Sequence, residues 1–171
     1  MVKERTDFPR RKHLNRILVW LPPDKPVIYF VTVCCAARRE VFSQPFLVRI
    51  GVECLLRSAF RLRWKVENVC FMPDHVHLLL SPMENRDQSL SKFVQAWKSC
   101  VVLRLGRNGK TEAIWQREFH DRLLRSGEKL EEKWAYVREN PVRAGLCKTP
   151  EEYPYSGTPE NILKRIGFPC A

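Results

Sequence analysis

At 171 residues the chain is long enough for one domain with a substantial core, and its 44% of hydrophobic residues excludes an intrinsically disordered protein. Lys and Arg total 30 against 19 Asp and Glu, which gives a net charge of +11 and a pI of about 9.6. This excess favours a polyanionic partner, most simply nucleic acid, although a basic protein without such a partner has the same composition.

The cysteines and the N-terminus indicate the compartment. None of the seven cysteines forms a C-x-x-C pair, and most lie in apolar runs, as reduced core cysteines do. The basic N-terminus is not followed by the apolar segment of a signal peptide. No run reaches the roughly 18 apolar residues that span a bilayer, so we predict a cytoplasmic protein without a membrane anchor.

Three segments are predicted along the chain: a basic arm at 1–25, a folded domain at 26–157 and a C-terminal tail at 158–171. The arm could lie along a phosphate backbone or be simply solvated. The tail contains a possible short helix at Glu160–Ile166.

Four stretches have the character of β-strands. Val27–Cys34 is rich in β-branched and aromatic residues, which predicts a central strand buried on both faces. Trp64–Met72 and His75–Ser81 predict two more strands, and the Pro73-Asp74 turn makes them antiparallel neighbours. Glu112–Arg125 has weaker strand character and could form a hairpin that adds a fourth strand.

Three stretches predict helices. In Pro45–Leu62 the apolar spacing predicts a face packed on the sheet, formed by Phe46, Ile50, Leu55, Leu56 and Phe60. Ser89–Leu105 begins at a plausible N-cap, and Ser126–Asn140 is expected to stop at Pro141. The predicted class is α+β: an antiparallel sheet of four or five strands, the histidine strand central, with α-helices packed on one or both faces.

Two histidines in the third predicted strand form a candidate metal site. Because side chains alternate along a strand, His75 and His77 point to one side and Val76 to the other. Two imidazoles on one side of a rigid strand are aimed at a common point, as metal ligands are. A plain half-buried strand with two solvent-facing histidines fits the pattern equally well.

The last predicted helix places two polar residues beside its core stripe. At about 100° per residue, Tyr136 and Asn140 share a side roughly 100° away from the stripe that contains Trp134 and Val137. Tyr136 could be a rim tyrosine with its hydroxyl in water. Asn140 could be a helix C-cap or a turn residue before proline.

Three motifs, in this order and spacing, resemble the single-tyrosine HUH transposases and specifically the REP-associated tyrosine transposases. They are Met72–Leu79, Trp115–Arg125 and Tyr136–Leu146. The resemblance covers roughly residues 25–157 and includes Tyr29–Thr32 near the start. The His-x-His element is weak by itself, whereas the last motif, which runs from Tyr136 through Asn-Pro-Val-Arg-Ala-Gly, is far more specific.

The resemblance implies an HUH-endonuclease fold with a ferredoxin/RRM-like core. It implies that His75 and His77 bind a divalent metal, Mg²⁺ or Mn²⁺, with Asn140 as a third ligand, and that Tyr136 is the nucleophile. The phenol would attack single-stranded or hairpin DNA and form a covalent phosphotyrosine, by family analogy a 5′-phosphotyrosine with a free 3′-hydroxyl. The family also favours a monomer, with a homodimer as the alternative, and a location on the nucleoid when DNA is bound.

Several other residues could contribute to DNA binding. The cations nearest to the motifs are candidate phosphate contacts, with a solvated face as the alternative: Lys98, Arg117, Arg122, Arg125 and Arg143. Trp97 and Trp115 could stack bases but have the spacing of core residues. His120 could transfer protons or be structural.

Two other functions stay open. A domesticated transposase could keep hairpin recognition and act as a non-catalytic DNA-binding protein. A metal-dependent hydrolase or RNase could use His75 and His77, with Tyr136 purely structural. The presence of both histidines together with Tyr136 and Asn140 favours catalysis.

Overall fold

The computed structural model describes residues 27–83, 89–106, 114–124 and 130–167. The strands there are β1 (Ile28–Cys34), β2 (Trp64–Phe71), β3 (His75–Pro82), β4 (His120–Leu124) and β5 (Ser156–Gly157). The helices are α1 (Pro45–Leu62), α2 (Leu90–Leu105), α3 (Leu130–Arg138), α4 (Asn140–Arg143) and α5 (Pro159–Arg165). The strands form one antiparallel sheet in the order β4-β1-β3-β2-β5, which confirms the predicted α+β class.

The histidine strand β3 lies in the middle of the sheet, as predicted. It pairs antiparallel with β1 on one side and with β2 on the other. In this register, Thr32 of β1 and Cys70 of β2 are the direct neighbours of His77. Strand pairing on both sides therefore fixes the backbone of the histidine motif. Among the described helices, none is both long and apolar enough to cross a membrane.

One face of the sheet carries the main core and is covered by α1 and α2. The side chains buried there from β1 and β3 are Val31, Val33, Val76, Leu78 and Leu80. The Trp97 Nε1–H group of α2 donates to the Gly51 carbonyl of α1 at 2.9 Å, which joins the two helices. The Ser89 side chain caps α2 by accepting a hydrogen bond from the backbone N–H of Lys92, as its N-cap position predicted.

The bounds predicted for α1 are confirmed, but its predicted buried face is partly wrong. Phe46 is 55% exposed and Phe60 is 81% exposed, so neither packs on the sheet. The helix approaches β2 through Gly51, where an added Cβ would lie 2.6 Å from the Phe71 ring. Its smallest residue, rather than its largest aromatic ones, therefore sets which side faces the sheet.

The second face of the sheet carries a smaller core beneath α3. Its buried residues are Cys70, Met72, Val137 and Tyr153. The Tyr153 hydroxyl donates to the Phe71 carbonyl at 2.7 Å, which ties the segment before β5 to β2. Phe30 and Thr32 are only half-buried on this face, so the prediction that β1 is buried on both faces is wrong. His75 and His77 lie on this more open face.

The late helix does not stop at Pro141, contrary to the prediction. α3 ends at Arg138, and α4 begins at Asn140 with Pro141 in its first turn, where the missing N–H of proline leaves no helical bond unmade. Glu139 joins the two helices, because its N–H donates into α3 at 3.3 Å and its carbonyl accepts from α4 at 2.9 Å. The predicted cap Ser126 lies outside the described residues.

Two outer segments complete the fold. β4 pairs with β1 and is the predicted fourth strand, but in the described part of 112–125 there is no hairpin, only a single bridge from Trp115 to Cys35. α5 confirms the short helix predicted at 160–166. Its Ile162 and Leu163 are buried in the main core, so the segment assigned to the C-terminal tail contains a helix that packs on α1.

Candidate active site

The two imidazoles of β3 converge on one point. The Nε2 atoms of His75 and His77 are 3.1 Å apart, and the ring planes meet at 84°. The His75 Nδ1–H group donates to Asp74 Oδ1 at 2.6 Å, and His77 Nδ1 lies 3.0 Å from Thr32 Oγ1. A metal with bonds of about 2.1 Å to two nitrogens at a right angle would hold them about 3 Å apart. The residues present therefore fit one shared ion.

Asp74 orients His75 from the turn between β2 and β3. Burial raises the pKa of the Asp74 carboxyl, but the hydrogen bond and charge of His75, together with Arg38, outweigh burial and lower it. Arg38 Nη1 donates to the second carboxylate oxygen at 3.1 Å. A carboxylate on the far nitrogen is what metal-binding histidines typically have, because it fixes the tautomer and directs Nε2 toward the metal.

His77 is held in the neutral form. Burial lowers its pKa to about 3, and repulsion between two protonated imidazoles and from the charges of Lys133 and Arg143 adds to that effect, while Asp74 opposes it. The Phe30 ring stacks on the imidazole with centroids 5.4 Å apart and planes at 22°. A neutral imidazole keeps the lone pair that a metal ligand needs.

Tyr136 is 55% exposed on α3, on the side of the sheet that carries the histidines. Its ring is flanked by two cations, with Lys133 Nζ 5.1 Å and the Arg143 guanidinium carbon 4.5 Å from the ring centroid. Lys133 Nζ also lies 4.5 Å from the centroid of Phe30, the ring that stacks on His77. These contacts connect the predicted nucleophile to the histidine pair.

Asn140 begins α4 and is held by Arg143. Its Oδ1 accepts a short hydrogen bond from Arg143 Nη2, which also donates to the Tyr136 carbonyl at 2.9 Å. The assignment of Asn140 as a third metal ligand stays a prediction, and a metal there would have to share that oxygen with Arg143 or displace it. Within the described ranges, no three His, Cys, Asp or Glu side chains cluster as a metal site.

The predicted DNA-binding cations are dispersed. Arg143 contacts Tyr136, whereas Lys98 Nζ donates to the carbonyls of Gln116 at 2.6 Å and of Arg117 at 3.1 Å. Arg122 is exposed on β4, and Arg117 is exposed near the same edge. Arg125 lies outside the described residues.

The tryptophans and His120 occupy different environments. Trp97 and Trp115 are buried against each other in the core, as their apolar spacing indicated, with centroids 5.1 Å apart. His120 is exposed on the edge strand β4 and in register with Thr32, which places it on the histidine face of the sheet.

Four residues of the site were not predicted from the sequence: Phe30, Thr32, Asp74 and Lys133. Two of them had a local signal, since Asp74 directly precedes His75 and Lys133 lies one helical turn before Tyr136. Phe30 and Thr32 reach His77 only through the pairing of β1 with β3, which the sequence does not specify.

Comparison with known proteins assigns the family. Residues 25–140 match the family described as IS200-like transposases, a span that includes His75, His77, Tyr136 and Asn140. The chain therefore belongs to the IS200-like transposase family.

Individual relatives show which members of the family this chain resembles. A Haemophilus influenzae protein, provisionally named a REP-associated tyrosine transposase, is 26% identical over 153 residues, which cover 81% of this chain and 84% of that protein. A REP-associated tyrosine transposase solved with a bound REP hairpin matches with a TM-score of 0.63 at 20% identity. The match covers 77% of this chain and 76% of that protein. A provisionally assigned transposase from Deinococcus radiodurans R1 has a TM-score of 0.51 at 16% identity, over 66% and 89% of the two chains. These matches confirm the predicted resemblance, and the two structures support it at the level of the fold.

Proposed function

We propose that this protein cleaves and rejoins single-stranded or hairpin DNA through a covalent phosphotyrosine on Tyr136. The observation that carries the proposal is the meeting, on one face of the sheet, of two facing imidazole Nε2 atoms and an exposed tyrosine flanked by cations. A nucleophile, a metal-binding pair and positive charge are what phosphodiester transfer by a phenol requires.

The histidine pair would hold a divalent metal, Mg²⁺ or Mn²⁺. When bound, the metal would supply Lewis-acid polarisation of the scissile phosphate. His75 and His77 would bind it through Nε2, with Asp74 and Thr32 orienting the rings and Asn140 as a third ligand. Neutral ligands suit this task because they add no negative charge beside an anionic substrate.

Tyr136 would carry out the covalent step. Its phenolic oxygen attacks phosphorus, the new O–P bond forms as the P–O3′ bond breaks, and the phenol proton leaves to solvent. The departing 3′-oxygen takes up a proton and becomes a free hydroxyl. Because the phosphotyrosine keeps the energy of the broken bond, the 3′-hydroxyl can attack it and rejoin the strand.

We expect hairpin DNA to be the substrate, because of the similarity to a REP-associated transposase. The structurally similar REP-associated transposase is bound to a REP hairpin, and the excess of positive charge on this chain suits a polyanion. Cleavage of a strand next to a hairpin would place single-stranded DNA against the histidine face, with the stem bound elsewhere on the protein.

A labelled hairpin oligonucleotide incubated with Mn²⁺ and run on a denaturing gel tests the proposal. The expected result is a slow-migrating protein–DNA adduct that is lost in Tyr136→Phe and in His77→Ala. It should be kept in the matched control Tyr155→Phe, because Tyr155 is a partly buried tyrosine whose ring packs against Tyr153, with centroids 5.4 Å apart. An adduct that survives Tyr136→Phe would contradict the proposal, and so would the absence of any adduct across a panel of hairpins. Cleavage without an adduct would favour a metal-dependent hydrolase.

One observation favours a second function. The Asn140 oxygen predicted to bind metal already accepts a hydrogen bond from Arg143, which occupies one of its two lone pairs. A protein in which Arg143 keeps the metal from this oxygen when DNA is bound would recognise hairpins without cutting them, as a domesticated transposase would. Hairpin binding with no adduct in Mn²⁺ would support this alternative.

A further inference from the structure

Lys133 places its ammonium group between the two halves of the proposed site. It lies one turn before Tyr136 on α3, with Nζ 5.1 Å from the Tyr136 ring centroid and 4.5 Å from the Phe30 ring centroid. Phe30 stacks on His77, with ring centroids 5.4 Å apart. The ammonium is therefore held on aromatic surface between the predicted nucleophile and the predicted metal ligands.

Lys133 has no acidic partner within the described ranges. Other cations of this region do have one, since Arg38 binds Asp74 and Arg138 binds Glu151. An ammonium has three donors and no acceptor, and aromatic faces attract it without using those donors. The charge of Lys133 is thus anchored by rings while its hydrogen-bonding capacity remains for an anion.

Arg143, the other cation beside Tyr136, is already committed. Its Nη2 atom donates to the Tyr136 carbonyl and to Asn140 Oδ1. Those two bonds fix the guanidinium against α3 and α4, although Nη1 and Nε keep their donors. Lys133 differs in that no hydrogen bond from its ammonium ties it to the described protein, so all three of its donors can turn to an anion.

We propose that Lys133 is a phosphate-binding residue of the active site, whose Nζ contacts the scissile phosphate of the DNA. The proposal rests on the proposed function, because it needs Tyr136 and the histidine pair to act on the same phosphate. Because the ammonium already rests against the rings of Phe30 and Tyr136, less side-chain entropy is lost when the phosphate binds. Near the reacting phosphorus, the charge would also stabilise the transition state.

The salt dependence of DNA binding tests this role without any cleavage. Affinity for a fluorescent hairpin with a single-stranded extension is measured by anisotropy, over about 50 to 200 mM NaCl, for the wild type and for Lys133→Gln, Lys133→Met and Lys133→Arg. Loss of one phosphate contact should lower the log–log salt slope by about 0.7 to 0.9 in the Gln and Met variants. The Arg variant should restore the slope, since it keeps the charge. The Met variant removes the charge but keeps an aliphatic side chain beside Phe30, so it separates charge from packing.

Lys164→Gln is the matched control, because Lys164 is an exposed lysine on α5, a helix that packs on the main core. It should leave the slope of tight, hairpin-specific binding within about 0.2 of the wild type, as expected for a lysine that contacts no phosphate. An unchanged slope in both Lys133→Gln and Lys133→Met would overturn the proposal. A slope that falls equally in Lys133→Arg would overturn it as well, because packing rather than charge would then be responsible.

The covalent step provides a second readout. In the gel assay, the rate of adduct formation should fall roughly 100- to 1000-fold in Lys133→Gln, as when one preorganised donor is removed from a reacting centre, and recover in Lys133→Arg. A wild-type protein that binds hairpins but forms no adduct would contradict the proposed function alone, and the salt slope would still decide the role of Lys133. If adducts form at the wild-type rate in Lys133→Gln, the contact with the scissile phosphate is refuted.

Discussion

The Nε2 atoms of His75 and His77 face each other across 3.1 Å, while each Nδ1 atom is engaged by a different neighbour. Two neutral imidazoles whose lone pairs met at this distance would repel each other. The pair is therefore satisfied only when one ring donates a hydrogen to the other or when both bind one cation. This arrangement differs from two independent surface histidines, and it makes metal binding the first property to measure.

Metal affinity should depend on both a ligand and the residue that orients it. Mn²⁺ binding, followed by calorimetry, should be lost in His77→Ala and weakened about 10- to 100-fold in Asp74→Asn, because the amide no longer fixes the His75 tautomer. His120→Ala is the control, since His120 lies on the same face but at the edge strand, and it should bind as the wild type does. Normal Mn²⁺ binding by His77→Ala would rule out the histidine pair as the metal site.

Arg143 should compete with the metal for Asn140. In Arg143→Met the amide oxygen is released, so Mn²⁺ affinity should rise roughly tenfold, the effect expected from a charged hydrogen bond worth about 1.5 kcal/mol. The same change in an Asn140→Ala background should have no effect on affinity. If Arg143→Met alters Mn²⁺ binding equally with and without Asn140, the competition does not exist.

Gly51 should be required for the packing of α1 on β2. Gly51→Ala would place a Cβ 2.6 Å from the Phe71 ring, so the free energy of unfolding should fall by about 1 to 3 kcal/mol in urea titrations. Gly106→Ala is a matched control, because no heavy atom lies within 4 Å of its added Cβ, and it should change stability by less than about 0.5 kcal/mol. Equal stabilities of the two variants would show that α1 does not pack as described.

Stability should fall in alkaline solution because of buried thiols. Burial raises the pKa of Cys35 and of Cys70 from 9.0 to about 12, so both stay protonated in the folded state when they ionise in the unfolded chain. The contribution of each thiol to the free energy of unfolding is intact below about pH 9 and is lost above it. The loss is about 1.4 kcal/mol for each thiol on going from about pH 8 to pH 10.

Cys70→Ala separates this effect from other titrations. The variant has a lower free energy of unfolding at every pH, but its loss between about pH 8 and pH 10 should be smaller than that of the wild type by about 1.4 kcal/mol. Between about pH 6 and pH 8 the two proteins should lose equal amounts. An equal alkaline loss in both proteins would contradict the raised pKa of Cys70.

The parts of the fold that depend on local chemistry were predictable from the sequence. Alternation in β3 and the short Pro73-Asp74 turn were enough to place both histidines on one face of a central antiparallel strand. The Ser89 cap could likewise be predicted from the sequence of its own helix, because its hydrogen bond is made within the first turn. Periodicity failed for α1, where exposure of Phe46 and Phe60 follows from the close approach of Gly51 to Phe71, a contact between distant segments.

The site could be predicted only in part for the same reason. Tyr136 and the histidines belong to motifs, but their partners come from other elements. Lys133 reaches Phe30 only after α3 packs on the sheet, and Thr32 reaches His77 only in one register of β1. The hydrogen bond between Arg143 and Asn140 forms because the chain continues through Glu139 into α4, whereas the sequence predicted that the helix stops at Pro141.

Mass spectrometry of the covalent complex tests the central claim most directly. The protein is incubated with hairpin DNA and Mn²⁺, the DNA is trimmed with nuclease, and tryptic peptides are sequenced to locate the nucleotide that remains attached. We predict a phosphodiester-linked nucleotide on the phenolic oxygen of Tyr136, which is absent when chelator replaces Mn²⁺. A nucleotide attached to any other residue, or none on a protein that has cut the DNA, would contradict the account.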